Sequence, residues 1–474
     1  MRRLLQLMAL AAVTVLGPAA VAQAPNPDAA FLAYAQPVIA FTGVQLVDGT
    51  GAPARAGVTV VVQDGRIAAV GPTGSVQVPA GAEVIDGRGK TLLPGFVMMH
   101  EHMFYPTGKA NYTENLTSFP RLYLAGGTTT MRTGGTTAPY ADLNLREEIR
   151  AGRVLGPDLD VTGPYLNGPG LPILKIHAVR NAAEARRMVN YWADEGVTSF
   201  KGYMHLTRAE LKAIVETAHR RGIKVTGHLC SITSREAAAL GIDNLEHAFA
   251  ASTDWVADKK PDVCPDQSVT ARSLAALDPD GPEAGAVIDS LVKRGVALTS
   301  TLTVFETLAP GRPMAPEGAR ALLIPQTRKQ YETTWAAIQK QANAPWARAL
   351  KVEMRLEKRF VEAGGWLMAG TDPTGYGGVI AGYSSKRQVQ LLVEAGFSFP
   401  EALKISTLNG ARFMGREREI GTVEAGKRAD LILIDGDPVK DASALDRMPL
   451  VFKAGRGYRT AAIFEAMKET VGLY

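Results

Sequence analysis

The chain has 474 residues, a formal net charge of +5 and two cysteines, Cys230 and Cys264. That length exceeds what one small core needs and fits a barrel-sized domain with a smaller companion. The near-balanced charge, with no basic run or aromatic-interleaved patch, excludes a nucleic-acid binder. Two cysteines cannot form a disulfide framework, so the fold must rest on its core, although an oxidising compartment would let the two pair.

Met1-Arg2-Arg3 precedes an apolar run over 4–21, and Ala22-Gln23-Ala24 has the small-x-small pattern of a cleavage site. Residues 1–24 therefore read as a secretory signal peptide cut near Ala24, which predicts a periplasmic or secreted protein. No later stretch is apolar enough to span a bilayer. After a linker over 25–37, short strands joined by Asp-Gly turns occupy 43–51, 58–71 and 83–87, and 421–436 and 451–455 answer them near the C-terminus. Such turns supply the positive φ of tight hairpins. The pattern predicts one small β-sandwich subdomain built from both termini, 38–92 and 413–474.

Between them, over 93–412, strands alternate with helices. A helix over 182–195 ends at Gly196 and a strand over 197–203 follows. Thr207-Arg208-Ala209-Glu210 is a capping box that opens a helix running to Arg221, with Gly222 closing it. The rhythm continues with a strand over 223–228, a helix over 234–240 and a strand over 242–247, and later with strands over 295–301 and 365–370. Repeated βα units imply a parallel sheet, and about eight of them fit an α/β fold of the (β/α)8 TIM-like barrel type. Long connections over 250–282 and 302–344 are expected to lie over the active face.

The apolar strand Leu92-Leu93-Pro94-Gly95-Phe96-Val97-Met98-Met99 leads into His100-Glu101-His102. Residues i and i+2 of a strand share a side, so both imidazoles face one space. Two neutral imidazoles converging at a strand end are the common beginning of a metal site. The helical H-E-x-x-H pattern fails, because Phe104 stands where its second histidine belongs and Glu101 would face away. In a barrel, chemistry collects at the C-terminal strand ends, and there the chain places Lys201, His228, His247 and Asp372. His219 sits near a helix end, where it complements the dipole, and carries no assigned role.

Leu93-Pro94-Gly95 before His100-Glu101-His102, Gly126-Gly127-Thr128-Thr129-Thr130, Lys201, His228, Asn244-Leu245-Glu246-His247, Gly370-Thr371-Asp372 and the closing run from Gly421-Thr422-Val423 to Arg428-Ala429-Asp430-Leu431 extend over nearly the whole chain. On them the chain resembles the metal-dependent amidohydrolase superfamily, in its imidazolonepropionase-related and prolidase-like branch. The resemblance implies one or two divalent ions, zinc being the expected metal, with manganese or cobalt left open. It implies that His100, His102 and Asp372 hold one ion, that His228 and His247 hold a second, and that a carboxylated Lys201 bridges them. A free lysine repels a divalent ion; its carbamate is an anionic oxygen ligand, formed from the neutral amine that burial favours.

The implied reaction is hydrolysis of a C–N bond in an amide, a dipeptide, an N-acyl amino acid or a cyclic amide, with Asp372 as general base and acid. A lactonase or esterase on the same site is the alternative, and a barrel that only binds or scaffolds is another. A small molecule is the expected partner, with a homo-oligomer left open. Tyr203 and His205 share a face with Lys201 if that strand continues, which makes them candidate substrate contacts. Arg132 is a candidate clamp for a carboxylate, in competition with a surface ion pair. His177, in a long loop after the third strand, is a further candidate. Prolidase-like relatives tend to carry Gly-Gly-His there, whereas this chain has Asn167-Gly168-Pro169-Gly170 well before His177, a departure that weakens a dipeptidase assignment. Cys230, two positions after His228, reads as a buried thiol rather than a ligand.

Overall fold

Strands from the two ends of the chain are woven into one nine-stranded sheet in the computed structural model, which describes residues 27–341 and 344–473. The signal-peptide reading, over 1–24, lies outside the described residues. Branched and aromatic side chains suit a pleated surface, and Ile39, Phe41, Val60, Val62, Leu92, Leu431 and Phe452 form a core of their own beneath this sheet. Its central joint is Lys90–Pro94. This strand runs parallel to Val38–Leu46 on one side and antiparallel to Leu431–Asp435 on the other, with Lys90 opposite Asp435 and Pro94 opposite Leu431.

After Gly95 the same strand direction continues as Phe96–Glu101, now in a parallel sheet with Thr128–Thr133 and Asp158–Asp160. Gly95 is required by that crossing, because a Cβ there would lie 2.2 Å from Thr129 Oγ1. A five-stranded parallel sheet follows in chain order: Ser199–Gly202, Lys224–Gly227, Asn244–Glu246, Ala297–Ser300 and Leu367–Ala369. Parallel bridges from Thr162 to Ser199 and from Leu166 to Gly202 link the two groups. At the other edge, the N–H groups of Thr371 and Asp372 donate to the His100 carbonyl. Phe96–Glu101, Thr128–Thr133 and Ser199–Gly202 are buried along their whole length, as parallel strands covered by helices are. The class is α/β.

The helices follow their sequence signals closely. Thr207 and Glu210 exchange both bonds of a capping box at the start of Arg208–Arg220, and Thr233 and Glu236 do the same before Ser234–Ala239. Two strands stop one residue sooner than their sequence pattern suggests: Lys224–Gly227 and Asn244–Glu246 end just before His228 and His247. The connection over 250–282 is not bare: it holds the helix Gln267–Ala276. It also corrects the reading of Cys230 as a thiol, since this connection folds back over the loop after His228 and Cys264 forms a disulfide with Cys230.

Candidate metal centre and the cavity above it

Six groups foreseen at strand ends converge in one buried place. His100, His102 and Asp372 each offer a ligand atom, and these atoms lie within 4.8 Å of one another. His100 is flanked so tightly that a Cβ on Gly134 would meet its ring at 2.3 Å. Glu101 turns the other way, as alternation requires, and accepts from the Thr371 N–H at 2.9 Å. Burial pushes its carboxyl up to about 8.

Three of the four histidine rings, those of His100, His102 and His247, are held from behind. His102 Nδ1 lies 3.0 Å from the Gly135 carbonyl oxygen. A carbonyl only accepts, so Nδ1 carries the hydrogen and Nε2 keeps its lone pair. That Nε2 faces Asp372 Oδ1 at 3.1 Å. Two acceptors at this distance need a proton or a cation between them, and burial holds the His102 imidazole down to about 4, that is, neutral. Burial also works to raise Asp372, but His100, His102 and His247 outweigh it and hold the carboxyl well below its usual range. A carboxylate facing a neutral imidazole is the donor set of a divalent ion.

His100 Nδ1 sits 2.8 Å from Glu246 Oε2, and Arg132 donates to the other Glu246 oxygen at 2.5 Å. Burial opposes ionisation of Glu246, yet Arg132 and His100 hold it well below the ordinary carboxylate range. His247 follows directly in sequence and still reaches the interior, because its φ of 66° breaks the strand alternation. Its Nδ1 lies 2.8 Å from Thr301 Oγ1, while its Nε2 is buried with no hydrogen-bond partner. An orphaned imidazole nitrogen beside such a cluster fits a missing metal bond. His228, half-buried, stands with its ring centroid 4.3 Å from that of His247. Lys201 Nζ lies 3.0 Å from His100 Nε2, and burial lowers its amine to about 8.

A cavity of about 320 Å³ opens above these groups, with Tyr165, Tyr203, Phe104, Tyr112 and Phe305 among its walls and Lys201, His228, His247 and Asp372 in its floor. Tyr203 therefore lies where its sequence position suggested. His205 does not, because the strand ends at Gly202. Its backbone N–H is bound by Asn167 Oδ1 at 2.9 Å and its Nδ1 lies 3.1 Å from the Pro169 carbonyl, outside the cavity lining. Arg132 is neither a clamp at the mouth nor a surface pair: it is 1% exposed and bound to Glu246 beneath the histidines. His177 faces Glu184 at 3.1 Å, away from the cavity. Sequence reasoning assigned no role to Glu246, Tyr165 or Thr301. Glu246 carried a usable signal, an acid inside a buried strand; Tyr165, in an irregular stretch, carried none.

Residues 91–470 match the model of the amidohydrolase family. An adenine deaminase of Rhizobium meliloti is 21% identical over 84% of this chain, which spans only 54% of that relative's length. An imidazolonepropionase of Rubrobacter xylanophilus is 26% identical over 80% of this chain and 84% of its own length. Among solved structures, one from Bifidobacterium longum described as a prolidase superposes with a TM-score of 0.67 at 26% identity, covering 91% of this chain and 98% of its own. The parallel strands and their helices thus have the arrangement of a TIM-like barrel.

Proposed function

The chain belongs to the amidohydrolase family, whose members are hydrolases acting on carbon–nitrogen bonds, and from that premise we propose that it hydrolyses the amide bond of a small molecule with Asp372 as general base and general acid. The observation that carries this reading is the opposition of His102 Nε2 and Asp372 Oδ1 at 3.1 Å, an arrangement that a bound cation would satisfy. His100, His102 and Asp372 would hold one ion, His228 and His247 would hold a second, and a carboxylated Lys201 would serve both. Imidazole and carboxylate donors suit zinc. Such an ion supplies Lewis acidity and makes water acidic near neutral pH.

The chain's own groups do the rest. Asp372 is ionised and faces the cavity, so it can accept a proton from the attacking water. Water oxygen bonds to the carbonyl carbon, the C–N bond breaks, and the same carboxyl returns the proton to the departing nitrogen. Tyr165 and Tyr203, with ring centroids 4.7 Å apart, wall the space in which the carbonyl would lie. Burial lowers the Lys201 amine to about 8; its neutral form would take up carbon dioxide, lose a proton and become an anionic oxygen ligand.

The same reading extends to the architecture and the address of the protein. Hydrogen bonds from Thr371 and Asp372 to the His100 carbonyl support a closed (β/α)8 barrel. The separate core of the terminal strands supports a β subdomain over 38–92 and 413–474. The Cys230–Cys264 disulfide suits the oxidising compartment to which the leader would deliver the chain.

The test is turnover. Zinc-loaded protein is incubated with a panel of simple amides, dipeptides, N-acyl amino acids and lactams. At least one class should be cleaved, and Asp372→Asn should abolish that cleavage. Cleavage at an undiminished rate by the Asp372→Asn protein would overturn the mechanism.

A further inference from the structure

Beyond His228 the cavity over Asp372 adjoins a second one of about 400 Å³, with Met204, His228, Gln267, Phe305 and Leu308 shared between them. Its other walls include Ala251, Ala271 and Trp346. The Phe305 ring meets His247 edge-on at 5.6 Å on one side and stacks on Trp346 at 4.9 Å on the other. An aromatic wall therefore runs from His247 through Phe305 to Trp346 in the annex. Cys230 lines the same space, and its disulfide to Cys264 pins the connection that bears Gln267 and Ala271.

Charge is distributed just as unevenly. Among the described residues, the annex is lined by no Asp, Glu, Lys or Arg, and the cavity over the metal site only by Lys201 and Asp372. Of the cations flanking the cavity over the metal site, Lys175 pairs with Glu114 at 2.8 Å, and Arg132 pairs with Glu246 below the floor. A substrate carboxylate or ammonium entering the annex would find no counter-ion in its walls, and an unpaired charge leaves water at high cost. A ring entering the annex would instead exchange water for apolar and aromatic walls.

We propose that the annex beyond His228 is the subsite for a bulky, uncharged aromatic group on one side of the scissile amide, so that the substrates are neutral aryl or arylalkyl amides and not free dipeptides or N-acyl amino acids. This rests on the hydrolase reading above and narrows it.

The experiment uses the zinc-loaded full chain and three kinds of amide: N-methylacetamide, the same amide with a 3-phenylpropyl group on its acyl or its amine side, and the para-carboxylate of each phenyl compound. One phenyl compound should exceed both N-methylacetamide and its own carboxylate in kcat/KM by at least about tenfold, the scale of a filled apolar subsite. Ala251→Trp, which narrows the annex, should lower the phenyl-to-methyl ratio by about tenfold, with melting temperature and zinc content confirming an intact fold. Cleavage of these amides with no preference for the phenyl group, or a preference unmoved by Ala251→Trp, overturns the subsite and leaves the hydrolase standing.

Binding is read separately on Asp372→Asn holoprotein, which should leave the ligand intact. The phenyl amide should quench tryptophan fluorescence saturably, its carboxylate should not, and Trp346→Phe should remove the signal. Saturable binding without any cleavage by the wild-type chain would keep the subsite and defeat the hydrolase reading. Equal binding of the amide and its carboxylate would overturn the subsite.

Discussion

His100 and Glu246 meet at 2.8 Å, nitrogen to oxygen, with neither side chain reaching solvent. Among the described residues the same carboxylate is the sole acidic partner of Arg132, so one acid both orients a metal-site ring and neutralises a buried guanidinium. Glu246→Gln should therefore do two things. Zinc affinity, measured by competition with a chelator, should fall about 10- to 100-fold as His100 loses its orienting anion. Stability should fall by about 3–5 kcal/mol, because Arg132 is left buried and unpaired. Adding Arg132→Met should restore much of the melting temperature and none of the zinc affinity. Recovery of both together would show that Glu246 acts only through packing.

Lys201 gives a pH-dependent prediction. Its amine is lowered to about 8 by burial, and only the neutral amine reacts with carbon dioxide. Apo-protein reconstituted with zinc and bicarbonate should regain activity faster above about pH 8 than well below it. Lys201→Met should lose that dependence and bind one zinc fewer by elemental analysis. Equal zinc content in the two proteins would remove Lys201 from the ligand set.

Glu353 and Glu357 lie one turn apart on Trp346–Glu362, both 1% exposed. Glu353 accepts from the Phe249 N–H at 3.0 Å and Glu357 from Ser300 Oγ at 2.9 Å. Burial raises both carboxyls above the unfolded value of 4.5. A raised acid pKa means that the folded chain binds more protons than the unfolded one. The stability contribution is whole below pH 4.5 and is lost as pH rises through the folded pKa. Glu357→Gln should accordingly raise stability near pH 8, by about 1–3 kcal/mol, and change little near pH 4. Thermal unfolding of the two proteins across that range checks the sign.

The disulfide closes a loop of 34 residues in sequence separation. Cys264→Ser should cost about 2–4 kcal/mol in denaturant unfolding, the usual range for such a cross-link. Because Cys230 borders the annex, the same change should reduce the preference for aromatic amides more than it reduces cleavage of N-methylacetamide. A uniform loss across substrates would confine the disulfide to stability.

The site was legible where chemistry coincides with strand ends. His100, His102, His228, His247 and Asp372 stand where the apolar runs give out, and a parallel fold brings such ends together. His205 was not legible, because its placement with Tyr203 assumed two more residues of strand. The chain bends at Gly202 instead, and Asn167-Gly168-Pro169-Gly170, the very stretch that departs from the prolidase-like pattern, binds His205. Arg132 looked like a mouth residue because spacing does not report depth, and its partner Glu246 is 114 positions away. The helices were read to within a residue or two because capping boxes and closing glycines are local signals. Pairing of the terminal strands was suggested by their shared turns, but the register of Lys90 on Asp435 depends on the whole chain lying between them.

That register has a mechanical meaning. Lys90–Pro94 is gripped by Leu431–Asp435, and the residues that follow Gly95 carry His100 and His102 at their far end. The chain's last strands thus act as a vice on a rod whose other tip is the metal site. Removing Leu431–Asp435 should therefore loosen His100 and His102 together with the terminal sheet. A nonsense mutation before Leu431, remote in sequence from every ligand, would be read as a metal-binding defect.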